Sequence, residues 1–236
     1  PPRSTLFPYT TLFRSGASSY RAPDLLDRFK VIDLGGGRAQ FGNPDLDPER
    51  SLFAEGGLHY TGERVRASLS AFINCVDDLI IPMPTSPVRE DMQNVNEATL
   101  HGLEAEAEWH VSRHCRLYAG IAWIEGENRT DDQYLRFTPP LNGTAGARVD
   151  VGNGLWAAIE TEWAARQDHT PPGTATADAW GVVNLRCGYS FVTGRISHDL
   201  LLSVDNVLNH DYSNYLATAR GLELKEPGIG DRKSVV

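Results

Sequence analysis

The chain has 236 residues, of which 41% are hydrophobic and 22% charged, and it carries a formal net charge of −9. This length is enough to bury a core, and the apolar content excludes an intrinsically disordered chain. The acidic balance argues against a nucleic-acid partner, which would require a basic face. A run of about 18 apolar residues is missing, which excludes a transmembrane helix. A membrane β-barrel is compatible with the mean hydropathy of −0.34, because its alternating strands average to a polar score.

The sequence lacks the common motifs of enzymes and of cofactor-binding proteins. The three cysteines, Cys75, Cys115 and Cys187, are odd in number and widely spaced, so they indicate neither a disulfide framework nor a paired-Cys metal site. The sequence contains no P-loop, no dinucleotide-binding fingerprint and no G-x-S-x-G nucleophile elbow. We therefore predict that the protein is not an enzyme and has no catalytic residue, no resident metal and no cofactor.

Both ends of the chain are expected to be foreign to the natural protein. Residues 10–15 read Thr-Thr-Leu-Phe-Arg-Ser, and residues 231–236 read Asp-Arg-Lys-Ser-Val-Val. Codons chosen for the second segment encode the first when the complementary strand is read one base out of frame, as for a short DNA adaptor translated at each end. We therefore interpret residues 1–15 and 231–236 as adaptor-derived segments that pack poorly. Residues 16–230 are then part of a natural domain.

From residue 51 onward, apolar residues alternate with polar ones, which indicates strands with two different faces. Val65, Leu69 and Ile73, for example, belong to an apolar set that alternates with arginines and serines. Strands of about ten residues are long enough to cross a bilayer when tilted. Eight strands are predicted, near residues 51–60, 64–74, 98–110, 115–125, 142–151, 155–165, 180–191 and 196–206.

The connections between these strands alternate strictly between tight and long, as in outer-membrane barrels. The five tryptophans lie close to predicted strand ends, as in an interfacial aromatic girdle. The tight turns are residues 61–63, 112–114, 152–154 and 192–195, the long connections are residues 75–97, 126–141 and 166–179, and the tryptophans are Trp109, Trp123, Trp156, Trp163 and Trp180.

An ordered set of motifs runs along the chain. It comprises Tyr-Arg-Ala-Pro at 20–23, Asn-Pro-Asp-Leu-Asp-Pro-Glu at 43–49, Asp-Leu-Ile at 78–80, Gly-Leu-Glu-Ala-Glu at 102–106, Val-Asp-Asn-Val-Leu-Asn at 204–209 and Glu-Pro-Gly at 226–228. This set resembles the (F/Y)RAP, NPxLxPE, DLI, GxExE, VxNLFN and EPGR motifs of TonB-dependent outer-membrane receptors. The final motif departs from the family pattern, because Ile229 replaces its arginine.

The resemblance implies an all-β fold, an antiparallel transmembrane barrel of about 22 strands with a plugged lumen in the bacterial outer membrane. About eight strands would be present here as an incomplete, open meander, without the plug or the TonB box. The implied function is ligand-gated active uptake of a metal complex such as an iron-siderophore, haem or cobalamin. The expected partners are the TonB energy-coupling complex, outer-membrane lipid and lipopolysaccharide, and the metal-complex ligand.

Two sets of residues are candidates for contact with other molecules. One strand face would point into the lumen, hydrogen-bonding the plug and water, and its glutamates would raise the local negative potential. External loops would carry the ligand selectivity, with thioethers beside carboxylates suiting a soft metal or copper complex. Further loop acids include Glu90, Glu125 and Asp168. The lumen-facing candidates are Arg64, Arg66, Glu104, Glu106, Glu108, Glu160 and Glu162, and the ligand-binding candidates are Met83, Met92, Glu127, Asp131, Asp132, Tyr134 and His169.

Two other functions fit part of the pattern. A passive outer-membrane porin or adhesin barrel would share the alternation and the aromatic girdle but not the ordered motifs. A soluble β-sandwich, such as a carbohydrate-binding module, would share the alternation alone. Dependence on detergent would separate the soluble class from the two membrane classes, and a plug domain encoded upstream would separate the receptor from the porin.

Overall fold

The computed structural model describes residues 9–218, apart from the side chains of residues 96, 217 and 218. Most of this range is β-sheet. The strands are β1 Tyr9–Arg21, β2 Val31–Gly35, β3 Arg38–Phe41, β4 Glu49–Thr61, β5 Val65–Ser86, β6 Arg89–His110, β7 Cys115–Asn128, β8 Gln133–Tyr134, β9 Asn142–Gly152, β10 Leu155–Ala164, β11 Trp180–Thr193 and β12 Ile196–Val204, and the helices are α1 Leu25–Phe29 and α2 Tyr215–Thr218.

Nine strands form an antiparallel meander in the order β1-β4-β5-β6-β7-β9-β10-β11-β12. This nine-stranded sheet is called the wall below. Strands β1 and β12 do not pair with each other, so the wall is open, as predicted. The four tight turns lie at one end of the wall and the long connections at the other. No helix among residues 9–218 has the length and apolar character needed to span a membrane.

The eight predicted strands are all present, as β4–β7 and β9–β12. The prediction that residues 75–97 form a long loop is wrong, because β5 and β6 continue through them as a hairpin that ends at Ser86 and Arg89. Pro82 and Pro84 suggested a loop. They are tolerated because β4 stops pairing with β5 at Asp77, so this part of β5 has a free edge where a proline costs no ladder hydrogen bond.

Strand β1 was not predicted. It pairs with β4 along its whole length, from Tyr9 opposite Thr61 to Arg21 opposite Glu49. The backbone of residues 9–15 is fully paired with β4, and their side chains are mostly exposed, so the predicted poor packing applies to the side chains alone. The adaptor origin of residues 1–15 and 231–236 stays a prediction, and residues 231–236 lie outside the described range.

One face of the sheet is apolar and exposed. Val65 of β5 lies opposite Trp109 of β6, which lies opposite Leu117 of β7. Farther along the wall, Ile159 of β10 lies opposite Leu185 of β11. These five side chains are between 37% and 50% exposed, and a contiguous exposed apolar surface of this kind marks contact with another apolar phase.

The opposite face is polar, and it contains glycines covered by aromatic rings from the neighbouring strand. A β-carbon at Gly146 would collide with the Tyr118 ring, and one at Gly188 would collide with Trp156. Each glycine lies directly opposite its aromatic partner. The aromatic ring packs on the glycine backbone. This contact stabilises the cross-strand pair although the glycine contributes no side chain.

The buried core of the described residues lies at the long-connection end and consists of small clusters. Leu46 packs with Ile80 and Met92, and Leu135 packs with Val76 and Ala98. Strand β3 adds to the free edge of β6 in parallel. The chain between β1 and β4 thus crosses the β5–β6 hairpin and closes over its polar-face side. These packed connections, residues 22–48, 75–97 and 129–141, are called the loop layer below.

Candidate functional site

Two motifs identified in the sequence meet at the base of the loop layer. The Arg21 guanidinium makes two hydrogen bonds to the Glu49 carboxylate, at 2.6 and 2.8 Å, and a third to Asp27 at 2.8 Å. Glu49 also accepts a hydrogen bond from the backbone N–H of Ile80 at 2.8 Å. A bidentate Arg–carboxylate pair is geometrically specific, so these motif residues fix where the connection leaves β1 and enters β4.

The Asn94 side chain of β6 forms hydrogen bonds to the same region. Its Nδ2 donates to the carbonyl oxygens of Asp47 and Asp78, at 2.9 and 2.6 Å, and its Oδ1 accepts from the Asp47 backbone N–H at 2.9 Å. Asp78 has a φ of 58°, a left-handed conformation that the hydrogen bond to Asn94 supports. The motif residues Asp47 and Asp78 therefore stabilise the loop layer through their hydrogen bonds to Asn94.

A buried ion cluster joins three connections. The Glu90 side chain, only 7% exposed, lies 2.8 Å from Arg38 and 3.1 Å from Arg136. Arg38 comes from residues 22–48 and Arg136 from residues 129–141. The two guanidinium groups compensate the burial of the carboxylate, which would be costly without them. Glu90 could be named from the sequence, but its two arginine partners could not, because they are separated from it by 52 and 46 residues.

The two methionines proposed as soft ligands do not come together. Met92 is 4% exposed and packs against Leu46 and Ile80. Met83 lies opposite Asp91 and therefore on the other face of the hairpin from Met92, which lies opposite Pro82. The two thioethers cannot chelate one ion in this arrangement.

Two other loop candidates do come together. The rings of Tyr134 and His169 stack with centroids 4.6 Å apart and planes 7° from parallel. The His169 Nδ1 lies 3.8 Å from a carboxylate oxygen of Glu125. They line a cavity of about 210 Å³, here called the rim cavity, which is also lined by Trp123, Arg166 and Asp168. Loop 165–179 is held there by a 2.6 Å hydrogen bond from Gln167 Nε2 to the Thr138 carbonyl oxygen.

The remaining loop candidates do not line this cavity. Glu127 lies opposite Tyr134 in the β7–β8 pair and forms an exposed ion pair with Arg129 at 2.8 Å. Asp131 accepts a hydrogen bond from Asn128 Nδ2 at 2.9 Å. Asp132 is exposed and has a φ of 53°, so it shapes the turn before β8.

The polar face holds most of the second candidate set. Glu108 lies 3.5 Å from Arg66 and 3.1 Å from Arg116, and His110 contacts it at 2.7 Å. Glu106 has no ion pair among the described residues and lines a cavity of about 540 Å³ on this face. The glutamate row on β6 is thus not uniformly negative, because Arg66 and Arg116 compensate Glu108.

The other polar-face candidates occupy β10 and the turns. Glu160 accepts a hydrogen bond from the Tyr118 hydroxyl at 2.8 Å and pairs with Arg186 at 3.1 Å. Glu162 accepts from Asn184 Nδ2 at 2.7 Å. Glu104 is exposed and lies on the same face as Glu108, as the pairing of both with β5 shows. Arg64 lies in the turn between β4 and β5 and lines a separate cavity of about 400 Å³.

Comparison with known proteins supports one family. The family model described as "TonB dependent receptor-like, beta-barrel" matches residues 5–207. The vitamin B12 transporter BtuB of Vibrio vulnificus is 26% identical over 184 residues, which cover 77% of this chain and 28% of that protein. The iron-regulated outer membrane virulence protein of Vibrio cholerae is 30% identical over 141 residues, which cover 53% of this chain and 21% of that protein.

Solved structures show the same fold. The copper transporter OprC superposes with a TM-score of 0.79 at 23% identity, over 93% of this chain and 36% of that one. The ferric enterobactin receptor PfeA of Pseudomonas aeruginosa superposes with a TM-score of 0.70 at 18% identity, again over 93% of this chain and 36% of the other. Three of these four proteins are transporters or receptors by name, and this chain spans less than two thirds of the length of each of the four. The chain therefore belongs to the TonB-dependent receptor β-barrel family and is an outer-membrane β-barrel chain.

Proposed function

We propose that this chain forms part of the wall of a ligand-gated active transporter that takes up a metal complex across the outer membrane. The proposal rests on the contrast in polarity between the two faces of the wall. The face with Leu117 and Ile159 suits lipid, whereas the opposite face carries compensated charges such as Glu108 with Arg66 around a 540 Å³ cavity. A polar face of this kind suits a lumen that holds water or a further domain.

The cargo is proposed to be a metal complex, such as an iron-siderophore, haem or cobalamin. The names of the relatives refer to vitamin B12, copper and ferric enterobactin. A bare soft ion is disfavoured for this part of the wall, because Met83 and Met92 lie on opposite faces of their hairpin. Selectivity would reside in the external loops, among them the part of the chain that holds Glu127, Asp131 and Asp132.

Uptake by the complete receptor that contains this wall is the test. Cells would be supplied separately with a radiolabelled ferric siderophore, haem, cobalamin and copper, in the presence and absence of TonB and of an uncoupler of the proton gradient. We expect one class of metal complex to accumulate only with TonB and an intact gradient, while surface binding persists without either. Uptake that depends neither on TonB nor on the proton gradient would instead indicate the passive porin.

A further inference from the structure

Phe137 has a strained backbone conformation between two anchored neighbours. Its φ is 65°, in the left-handed region that a bulky side chain rarely adopts. On its N-terminal side, Arg136 lies 3.1 Å from Glu90. On its C-terminal side, the Thr138 carbonyl oxygen accepts the 2.6 Å hydrogen bond from Gln167. A strained residue persists where its surroundings fix it, so Phe137 connects these two anchors at the expense of its own conformation.

The Phe137 side chain does not account for this strain. Its ring is 36% exposed, so it buries little additional apolar surface. The Arg136 guanidinium lies 5.2 Å from the ring centroid, and a cation–π contact at an exposed position is weak. Backbone strain of this kind is concentrated in switch regions, where a second conformation relieves it. Phe137 therefore indicates a place at which the loop layer has two arrangements.

The chain after β12 reaches the same place. Residues 205–216 are called the post-β12 segment below. The Tyr212 ring packs against Trp180 at the start of β11, with ring centroids 4.3 Å apart. Near the end of the segment, the Tyr215 side chain is 2% exposed and packs against Ala177 of the connection between β10 and β11. One deeply buried ring thus joins the post-β12 segment to a neighbouring connection.

The burial of Tyr215 leaves its hydroxyl group unsatisfied. The hydroxyl oxygen is buried and has no hydrogen bond among residues 9–218. Burial raises the pKa of this hydroxyl, whereas the Phe137 backbone and the Arg136 guanidinium, which lie close to it, act to lower the pKa. A buried hydroxyl without a partner is destabilising. Two unfavourable features, the left-handed Phe137 and the unpartnered hydroxyl, therefore lie side by side.

We propose that Phe137 and Tyr215 form a latch at which loop 165–179 and the post-β12 segment open together. When Tyr215 leaves its contact with Ala177, its hydroxyl reaches water and the Phe137 backbone can return to an ordinary conformation. Opening thus relieves both unfavourable features, which offsets part of the packing that is lost. The proposal concerns contacts within the chain and is independent of the transported cargo.

Hydrogen exchange of the complete receptor in detergent micelles tests the strain. Phe137→Gly and Phe137→Ala both remove the ring, but glycine alone adopts the left-handed conformation without strain. The backbone N–H groups of Gln167 and Ala177 donate to each other's carbonyl oxygens at 2.9 and 3.1 Å. Their exchange should be about fivefold slower in Phe137→Gly than in Phe137→Ala. The His210 N–H of the post-β12 segment should change by the same factor, and the Ala39 N–H of β3 should not change.

Substitutions of Tyr215 test the other half of the latch. Tyr215→Phe removes the unpartnered hydroxyl and keeps the ring, so it should slow the same exchange about fivefold relative to the unchanged receptor. Tyr215→Ala removes the buried ring and should accelerate exchange at least about tenfold. Leu216→Ala is the matched control, because the neighbouring Leu216 is 38% exposed and its truncation should leave exchange unchanged.

Combined variants show whether the two residues act as one unit. In a Tyr215→Ala receptor, the difference between Phe137→Gly and Phe137→Ala should disappear, because the latch is already open. An undiminished difference, or one confined to residues 135–138, would overturn the proposal, since Phe137 and the post-β12 segment would then open separately. Equal or faster exchange in Tyr215→Phe would also overturn it. Heat-modifiable gel mobility verifies that the wall of each variant is folded.

Discussion

Glu90 shows how much of the loop layer depends on one side chain. It is buried between Arg38 and Arg136, and each of these arginines enters from a different connection. Arg136 is itself 14% exposed, so the pair has little access to water. Removing the negative charge would take away the carboxylate that compensates the mostly buried Arg136, whereas Arg38, which is 42% exposed, can still reach water.

Glu90→Gln is therefore expected to destabilise the loop layer by about 3 kcal/mol, the scale of a broken buried ion pair. The measurement is hydrogen exchange of the complete receptor, with faster exchange at residues 38–41 and 133–137. Asp91→Asn is the control, because the neighbouring Asp91 pairs with Arg89 at the exposed surface and its loss should change exchange little. Equal exchange in the two variants would show that Glu90 does not hold the layer together.

At the scale of the strands, aromatic residues over glycines set the packing of the polar face. Tyr118 covers Gly146, and its hydroxyl reaches Glu160 on the next strand, β10. The pair therefore joins β7, β9 and β10 in one contact. Gly120 lies on the same face of β7, but a β-carbon there would meet its nearest neighbour, Thr144, at 3.6 Å, an ordinary contact distance.

Gly146→Ala should displace the Tyr118 ring and lower the free energy of unfolding by about 1–3 kcal/mol, as overpacking does. Gly120→Ala should have a much smaller effect, since nothing must move. Urea unfolding of the complete receptor in detergent micelles, monitored by tryptophan fluorescence, compares the two. A loss at Gly120→Ala as large as at Gly146→Ala would contradict the role given to the Tyr118 ring.

Most of the wall could be predicted from the sequence, but strand β1 and the loop layer could not. A period of two is a local signal, and it located all eight strands from β4 onward, apart from β8. The partners of Glu90 could not be found in this way, because Arg38 and Arg136 are brought to it only by the parallel β3–β6 pair and the packing of Leu135. The extended hairpin was missed because two prolines were interpreted without knowing which edge of β5 is free.

Of the candidate sites, the polar face was the more predictable. Its glutamates share one face because alternation places them there, although the pairing of Glu108 with Arg66 and Arg116 depends on the register of three strands. Tyr134 and His169 were named as separate loop residues. Their stacking could not be predicted, because it depends on how loop 165–179 folds back to Thr138.

The whole molecule is an asymmetric wall, with lipid expected on one side and water on the other. Ile159 lies near the middle of β10 and is 50% exposed on the apolar face. Thr144 lies on the polar face, directly opposite Glu162. A charge should therefore have opposite consequences at these two positions.

Ile159→Arg is expected to lower the free energy of unfolding in bilayers by about 2–4 kcal/mol, the cost of arginine near the membrane midplane. Thr144→Arg should be nearly neutral, because the new cation faces water and Glu162. Folding titrations of the complete receptor into phospholipid vesicles provide the comparison. Similar values for both variants would mean that the two faces do not differ in their surroundings.

The shared carboxylate of Glu90 also limits how this protein can be re-engineered or diversify. Three connections that are far apart in sequence depend on it, so none of them is an independent module. Exchanging residues 129–141 alone for a segment without a cation at position 136 would remove one partner of Glu90 and leave the other two connections mismatched. Grafting a new specificity onto this wall therefore requires transplanting all three connections as one unit.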